Sequence, residues 1–305
     1  MRQYILRRIL MTVPVMLGVV AVTFFLVRLS GDPTDILLPP NTPEEVRDAF
    51  RQARGLDQPV WIQFLRFCRD ALSGDFGDSL RFNQPAVELV LERLGATLEL
   101  ACAAMFVAVV LGVPAGALAA YRRKTATDVA VRAVTLLGQA LPSFYLGVLS
   151  IVVFAIWLRW LPSGGRGTLA HLVLPATTLG FYVVALIARV TRSCMLDVLR
   201  QDYIRTARAK GLREFVVVGQ HALRNAFIPV LTVIGLQFGI LLGGVVVTEI
   251  VFSWPGVGRL AIQAIYARDF PVVQAVVLLF ATIFVGVNLV VDLLYALLDP
   301  RISYR

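Results

Sequence analysis

The stretch ATLELACAAMFVAVVLGVPAGALAA, residues 96–120, decides what kind of protein this is. Its one charged residue, Glu99, lies near its start, and Arg122, Arg123 and Lys124 follow its end. A bilayer's hydrocarbon core is about 30 Å thick and takes roughly 20 helical residues to cross. Backbone amides cannot go unpaired in lipid, so a run this long and apolar reads as a membrane-spanning helix.

Five more stretches share this character. The six spans are approximately 9–27, 96–120, 133–158, 169–188, 228–252 and 272–298. Glu99, Glu249 and Asp292 fall inside spans, but towards their ends. The first run follows Arg2, Arg7 and Arg8, as a signal peptide would. It is longer than the usual core of about 7–15 residues and no A-x-A site follows, so it reads as a retained span.

Composition agrees. Of 305 residues, 58% are hydrophobic and 16% charged. A soluble domain has about 25% charged residues and needs them to cover its surface. Disorder is excluded on the same ground. The net charge of +9 would suggest nucleic acid in a soluble protein. Here it reads as basic loops, with no nucleic-acid partner. The cysteines Cys68, Cys102 and Cys194 are odd in number and lack C-x-x-C spacing, which argues against a disulfide scaffold or a zinc site. The topology puts them in three compartments, as inert thiols.

Basic residues in short loops set orientation. The N-terminus, the second connection, the fourth connection (189–227) and the C-terminus together hold seventeen Lys and Arg. The short opposite connections hold four: Arg159, Arg166, Arg259 and Arg268. Both termini are therefore expected in the cytoplasm. The long first connection, 29–95, lies outside and is acidic, with seven Arg against eleven Asp and Glu. Pro43-Glu44-Glu45 suits a helix start with Thr42 as cap. Trp61, Phe64, Leu65, Phe67 and Cys68 recur near helical spacing. Short helices are expected on the outer surface.

No phosphate loop occurs, so the chain carries no ATPase of that kind. It also lacks H-E-x-x-H, G-x-S-x-G and dinucleotide fingerprints. His171 and His221 fall at opposite edges of the protein. Catalysis by this chain alone is not expected.

The segment 202–211, DYIRTARAKG, reads as a short cytoplasmic helix. Asp202 can cap it, and Gly211 suits a left-handed C-terminal position. Tyr203, Thr206, Ala207 and Lys210 share one face. Such a helix can dock into a groove on a soluble partner or lie on anionic headgroups.

At this point the sequence resembles a family. Residues 203–212 (YIRTARAKGL) and 221–230 (HALRNAFIPV) look like the cytoplasmic loop of permease subunits in binding-protein-dependent ABC importers. The match is narrower, to the dipeptide/oligopeptide branch, and glutathione-importer permeases are also similar. GDP at 31–33, GLDQP at 55–59, GDFG at 74–77, LPSF at 141–144, WPGVG at 254–258 and DLLYALLDP at 292–300 carry it along the chain. The general loop pattern opens on Glu-Ala-Ala and closes on Leu-Pro; the loop here has Arg205-Thr206-Ala207 and lacks the closing Leu-Pro. The departure leaves the docking role in place and gives no basis for a salt bridge from the first position.

The resemblance implies an all-α membrane protein, a single transmembrane domain over 1–305 with six spans and a type I importer-like fold, in the bacterial inner membrane. It implies short peptides as cargo, with glutathione, nickel chelates or another small solute as the alternative. Partners would be a second homologous permease in a heterodimer, two ATPase subunits, a periplasmic or lipid-anchored solute-binding protein, and membrane lipid. ATP and Mg would sit on the ATPases, leaving this chain no cofactor or metal. Tyr203, Arg205, Thr206, Ala207, Lys210 and Gly211 would couple to the ATPase.

Further residues are candidates for the path or outer gate. Gly235, Gly239 and Gly243, with Gly244 beside them, form a stripe on the fifth span. Close helix packing is its plain reading, and lining a path its functional one. Gly112 and Gly116 read as packing. Pro142 and Pro175 should kink the third and fourth spans. Glu99 reads as an acid near a helix start, where the dipole favours it. Glu249 is the best candidate for a substrate amine or an outer gate. Trp254 sits in a turn-rich segment, 253–260, as an interfacial aromatic or a part of the outer closure. A secondary transporter would need a central ionisable relay or inverted repeats, and neither is present.

Overall fold

The computed structural model describes residues 2–29, 34, 38 and 42–298, with side chains for residues 10–29, 34, 38, 42–53 and 55–291. Residues 31–33, 299–300, Arg301 and Arg305, with the side chains of Arg2, Arg7, Arg8 and Asp292, lie outside what is described. Regular structure among the described residues is helical throughout. Among the described residues five helices are long and apolar enough to cross a membrane, and a bent pair makes a sixth candidate.

The chain divides into two compact units. The first comprises residues 1–95 and 256–285. It holds α1 (Arg2–Leu29), α2 (Glu44–Arg54), α3 (Val60–Ser73) and α11 (Val257–Tyr266), with the first turns of α4 (Ala86–Tyr121) and most of α12 (Phe270–Leu298). Its core joins Leu89 and Val90 to Val257 and Leu260 and to Val272 and Val276. The helices expected in the first connection do form, as α2 and α3. Phe24 of α1 packs against Phe64 and Phe67 of α3, ring centroids 5.5 and 5.7 Å apart, while Trp61 and Leu65 stay exposed. The α2 start differs from expectation by one residue. Pro43 takes the cap position, and its carbonyl accepts from Val46 and Arg47 at 3.1 Å.

The second unit comprises residues 96–255 and 286–305. Its core stacks Leu100, Ala104 and Ala108 of α4 on Leu179, Val183 and Ile187 of α7 (Leu169–Val198) and on Val230, Leu241 and Val245 of α10 (Arg224–Val251). In lipid such contacts gain from close packing rather than from leaving water. Gly116 shows how close: a Cβ there would collide with the carbonyl oxygen of Ala188.

The third span departs from a simple kink. It runs as α5 (Ala126–Ala140), then α6 (Ser143–Ser150) continued by a π-helical segment, Ile151–Trp157, and the two halves meet at 105°. The residue before a proline is pushed out of the helical region. Leu141 accordingly sits extended, at φ −86° and ψ 128°, and the helix breaks. Pro175 lies inside an unbroken α7.

Helices also outrun the apolar stretches. The α4 helix begins at Ala86 and α7 continues to Val198. Hydropathy marks where lipid ends; backbone pairing carries the helix on into water. Glu99 is therefore well inside α4, and the helix-start account of it fails.

Candidate functional site

The connection between α7 and α10 forms α8 (Asp202–Ala209), then α9 (Glu214–Val216) and a second π-helical segment, Val217–Leu223, leading into α10. The α8 cap is Gln201, held extended at ψ 150°, and not Asp202. Asp202 is instead the first helical residue, and its carboxylate accepts from Arg205 Nη1 at 3.3 Å.

The other end closes as expected. Gly211 takes φ +73°, its N–H donates to the Arg208 carbonyl, and the Leu212 N–H donates to Ala207. That pair of bonds is the Schellman arrangement.

One side of α8 is anchored. Ile204 and Ala207 are buried with Ala117 and Ala120 of α4, Met195 of α7 and Ala226 of α10. Ala207 thus faces its own chain, whereas Tyr203, Arg205, Thr206, Arg208 and Lys210 are exposed. The Tyr203 hydroxyl accepts from Asn225 Nδ2 at 2.9 Å. Arg208 grips Glu214 at 2.7 Å, and that hydrogen bond raises the pKa of Arg208 above its ordinary value. Ile204 is the one large aliphatic side chain in the helix, the signal that could have identified its anchor.

Close by lies a second polar construction. Asp128, on the first turn of α5, is 1% exposed. Arg192 of α7 binds it through Nε at 2.7 Å and Nη2 at 3.0 Å. Arg132 approaches at 3.4 Å, and the Lys124 N–H donates at 3.1 Å. Sequence reading missed Asp128 because its partner is 64 residues away.

At the other end of the unit, α4 and the end of α10 meet. Glu249 is fully buried and accepts from Thr97 Oγ1 at 2.7 Å. Trp254 is 1% exposed, and its Nε1 donates to the Ala96 carbonyl at 2.8 Å. The interfacial reading of Trp254 is corrected: a turn at Ser253, φ +51°, sends the ring into the core. Glu99 pairs with Arg166 at 2.6 Å.

The glycine stripe splits. A Cβ on Gly235 would strike Val291, and Gly239 is buried. Gly243 and Gly244 have open space where a Cβ would stand. Gly244 lines a cavity of about 210 Å³ with Leu141, Ser143, Thr178, Tyr182 and Gln237. The broken third span, α7 and α10 thus line it.

His171 serves the cap of α7, its Nδ1 accepting from the Thr168 N–H at 3.2 Å. Among the described residues no cluster of His, Cys, Asp and Glu is arranged to hold a metal. The cysteines are free thiols, and burial raises the pKa of Cys68.

Residues 112–304 match the family described as "Binding-protein-dependent transport system inner membrane component". Residues 1–101 match its N-terminal companion, "Binding-prot-dependent transport system membrane comp, N-term". The chain is 42% identical to the dipeptide transport system permease protein DppB of Alkalihalophilus pseudofirmus, covering all of both chains. It is 44% identical to the glutathione transport system permease protein GsiC of Escherichia coli K12, again over all of both. A chain of the MetNI methionine ABC transporter, in an inward-facing conformation, superposes with a TM-score of 0.57 at 20% identity. That match covers 69% of this chain and 96% of the other, and carries the fold.

Proposed function

Since the chain belongs to the binding-protein-dependent transport system inner membrane component family, and is a multi-pass permease subunit of an ABC importer in the inner membrane, we propose that its cargo is short peptides. The support is full-length likeness to a dipeptide permease. A second reading, glutathione, has its own support in the GsiC match, and glutathione is itself a small peptide.

The observation that carries the mechanism is α8. Ile204 and Ala207 seat it on three spanning helices, while Tyr203, Arg205, Thr206 and Lys210 face outward. A helix fixed on one side and polar on the other is built to be pushed. In our reading it docks in a cleft of a separate ATPase subunit, with both termini in the cytoplasm. ATP and Mg bind there, and this chain holds no cofactor and no catalytic residue. ATP-driven closure of two ATPases displaces α8 and opens the path outward. A solute-binding protein then delivers the peptide, and hydrolysis resets the inward-facing state.

The cavity beside Gly244 is smaller than the roughly 300–1,000 Å³ of a small-molecule site. A second permease, homologous to this one, supplies the other half of the path. Gly243 and Gly244, with open space before them, line this half, and buried Gly239 packs behind them. Glu249 and Trp254 brace the outer gate.

The test is purification of the complex from its native membrane, with identification of the copurifying binding protein and calorimetry against di-, tri- and tetrapeptides and glutathione. Binding of several short peptides supports the first reading. Binding of glutathione alone selects the second, and binding of neither overturns both.

A further inference from the structure

The base under α8 draws on α4, α7 and α10, and no residue of α5 belongs to it. Yet α5 leads to the break at Leu141–Pro142, and Leu141 and Ser143 line the cavity. Something must make α5 move with the rest if the path is to respond to α8.

Asp128 supplies it. Its carboxylate is shut from solvent and gripped at both oxygens by one guanidinium, Arg192. A bidentate pair fixes orientation as well as distance. Apolar contacts have no directional bond to break, whereas a slide of about an ångström takes both bonds of this clamp past hydrogen-bond distance. The clamp's place on α7 matters too. Met195, one turn beyond Arg192, is fully buried in the base beneath Ile204. The last turns of α7 are therefore held twice within one helical turn, by α8 through Met195 and by Asp128 through Arg192. Towards the break, α5 and α7 touch again where Gly138 meets Ala185 and Phe181.

We propose that Asp128 is a positioning residue for transport: clamped by Arg192, it makes α5 follow α7 when α8 is displaced, so that the break at Leu141–Pro142 moves with the gate. This rests on the reading of α8 as the ATPase-coupling helix.

The test uses the complete transporter in proteoliposomes, comparing Asp128→Asn and Arg192→Lys with the parent. The second variant keeps the charge and loses the two-point grip, and serves if the first does not assemble. ATP hydrolysis persists in assembled variants, while peptide moved per ATP falls about threefold or more, as for residues that carry coupling between sites. Spin labels at Leu136→Cys and Arg189→Cys, in a background without Cys68, Cys102 and Cys194, report the α5–α7 distance. In the parent it stays constant between nucleotide-free and ATP-trapped states; in the variants it changes or broadens. A merely structural role would lower yield without making that distance depend on nucleotide. Unchanged peptide per ATP, or a constant distance in an assembled variant, overturns the proposal. A Gly211→Val control keeps the premise separate. If it uncouples while the Asp128 and Arg192 variants do not, only the clamp is wrong; if it too transports normally, the α8 reading fails.

Discussion

The hydroxyl of Thr97 donates to the carboxylate of Glu249 across 2.7 Å, with both residues 0% exposed and 152 positions apart in sequence. An acid enclosed in this way braces two helices and has no face to offer a passing solute. Thr97→Val removes one hydrogen bond from a buried carboxylate, a loss of about 1–3 kcal/mol. Its melting temperature in the purified complex should fall. Glu249→Gln retains an oxygen for the Thr97 hydroxyl and should melt near the parent. Peptide KM should be the same in both. A raised KM in Glu249→Gln without a change in melting would instead make Glu249 a cargo contact.

Trp254 carries a similar load by different means. Its ring fills the core, and its Nε1–H satisfies the Ala96 carbonyl at 2.8 Å. Trp254→Phe keeps most of the volume and loses the bond, a cost of about 1–3 kcal/mol. Trp254→Ala empties the site and should cost about 3–5 kcal/mol. Thermal unfolding of the detergent-solubilised complex should rank parent, Phe, then Ala. Equal losses for the two would mean that the bond, rather than the ring, holds this corner.

What was legible in the sequence was what depends on neighbours. Apolar runs marked the spans, and DYIRTARAKG gave a helix ending on a left-handed glycine, seen at Gly211. What stayed hidden was pairing across the fold. Nothing local joins Asp128 to Arg192, Glu99 to Arg166 or Thr97 to Glu249. Trp254 was misplaced for a related reason. Pro255 and Gly256 around it signal a turn, and only the turn's direction, set at Ser253, decides whether the ring meets lipid or core. Asp202 is an acid at a helix start, yet capping depends on which residue stays extended, and that residue is Gln201.

Pro142 makes the break in the third span testable. With alanine there, Leu141 no longer meets a proline ring and can return to helical angles. The missing N–H is also restored, and a proline in a helix interior costs about 3 kcal/mol. Pro142→Ala should therefore straighten the joint, and spin labels on Leu136→Cys and Leu149→Cys should read a longer distance. Uptake should fall, because Leu141 and Ser143 would leave the cavity wall. An unchanged distance would mean that the packing of α6 against α7 and α10, and not the proline, holds the 105° angle.

Gly211 offers the most direct test of coupling. Its φ of +73° is where L-residues other than glycine lose about 1–2 kcal/mol, and β-branched ones lose more. No atom lies within 4 Å of a Cβ built there, so a substitution acts through the backbone and not through a clash. In Gly211→Val the Schellman bonds to Ala207 and Arg208 should open and the end of α8 should fray. The spanning helices are untouched, so membrane insertion and assembly should match the parent. ATP hydrolysis should continue while uptake falls, since motion is lost at a loosened helix end. Gly211→Asn, the residue best able to replace glycine at this position, should recover much of the uptake. The measurement is uptake of labelled peptide and phosphate release in the same proteoliposomes. Normal uptake in Gly211→Val would remove α8 from the coupling path, because no other feature of that position would have been changed.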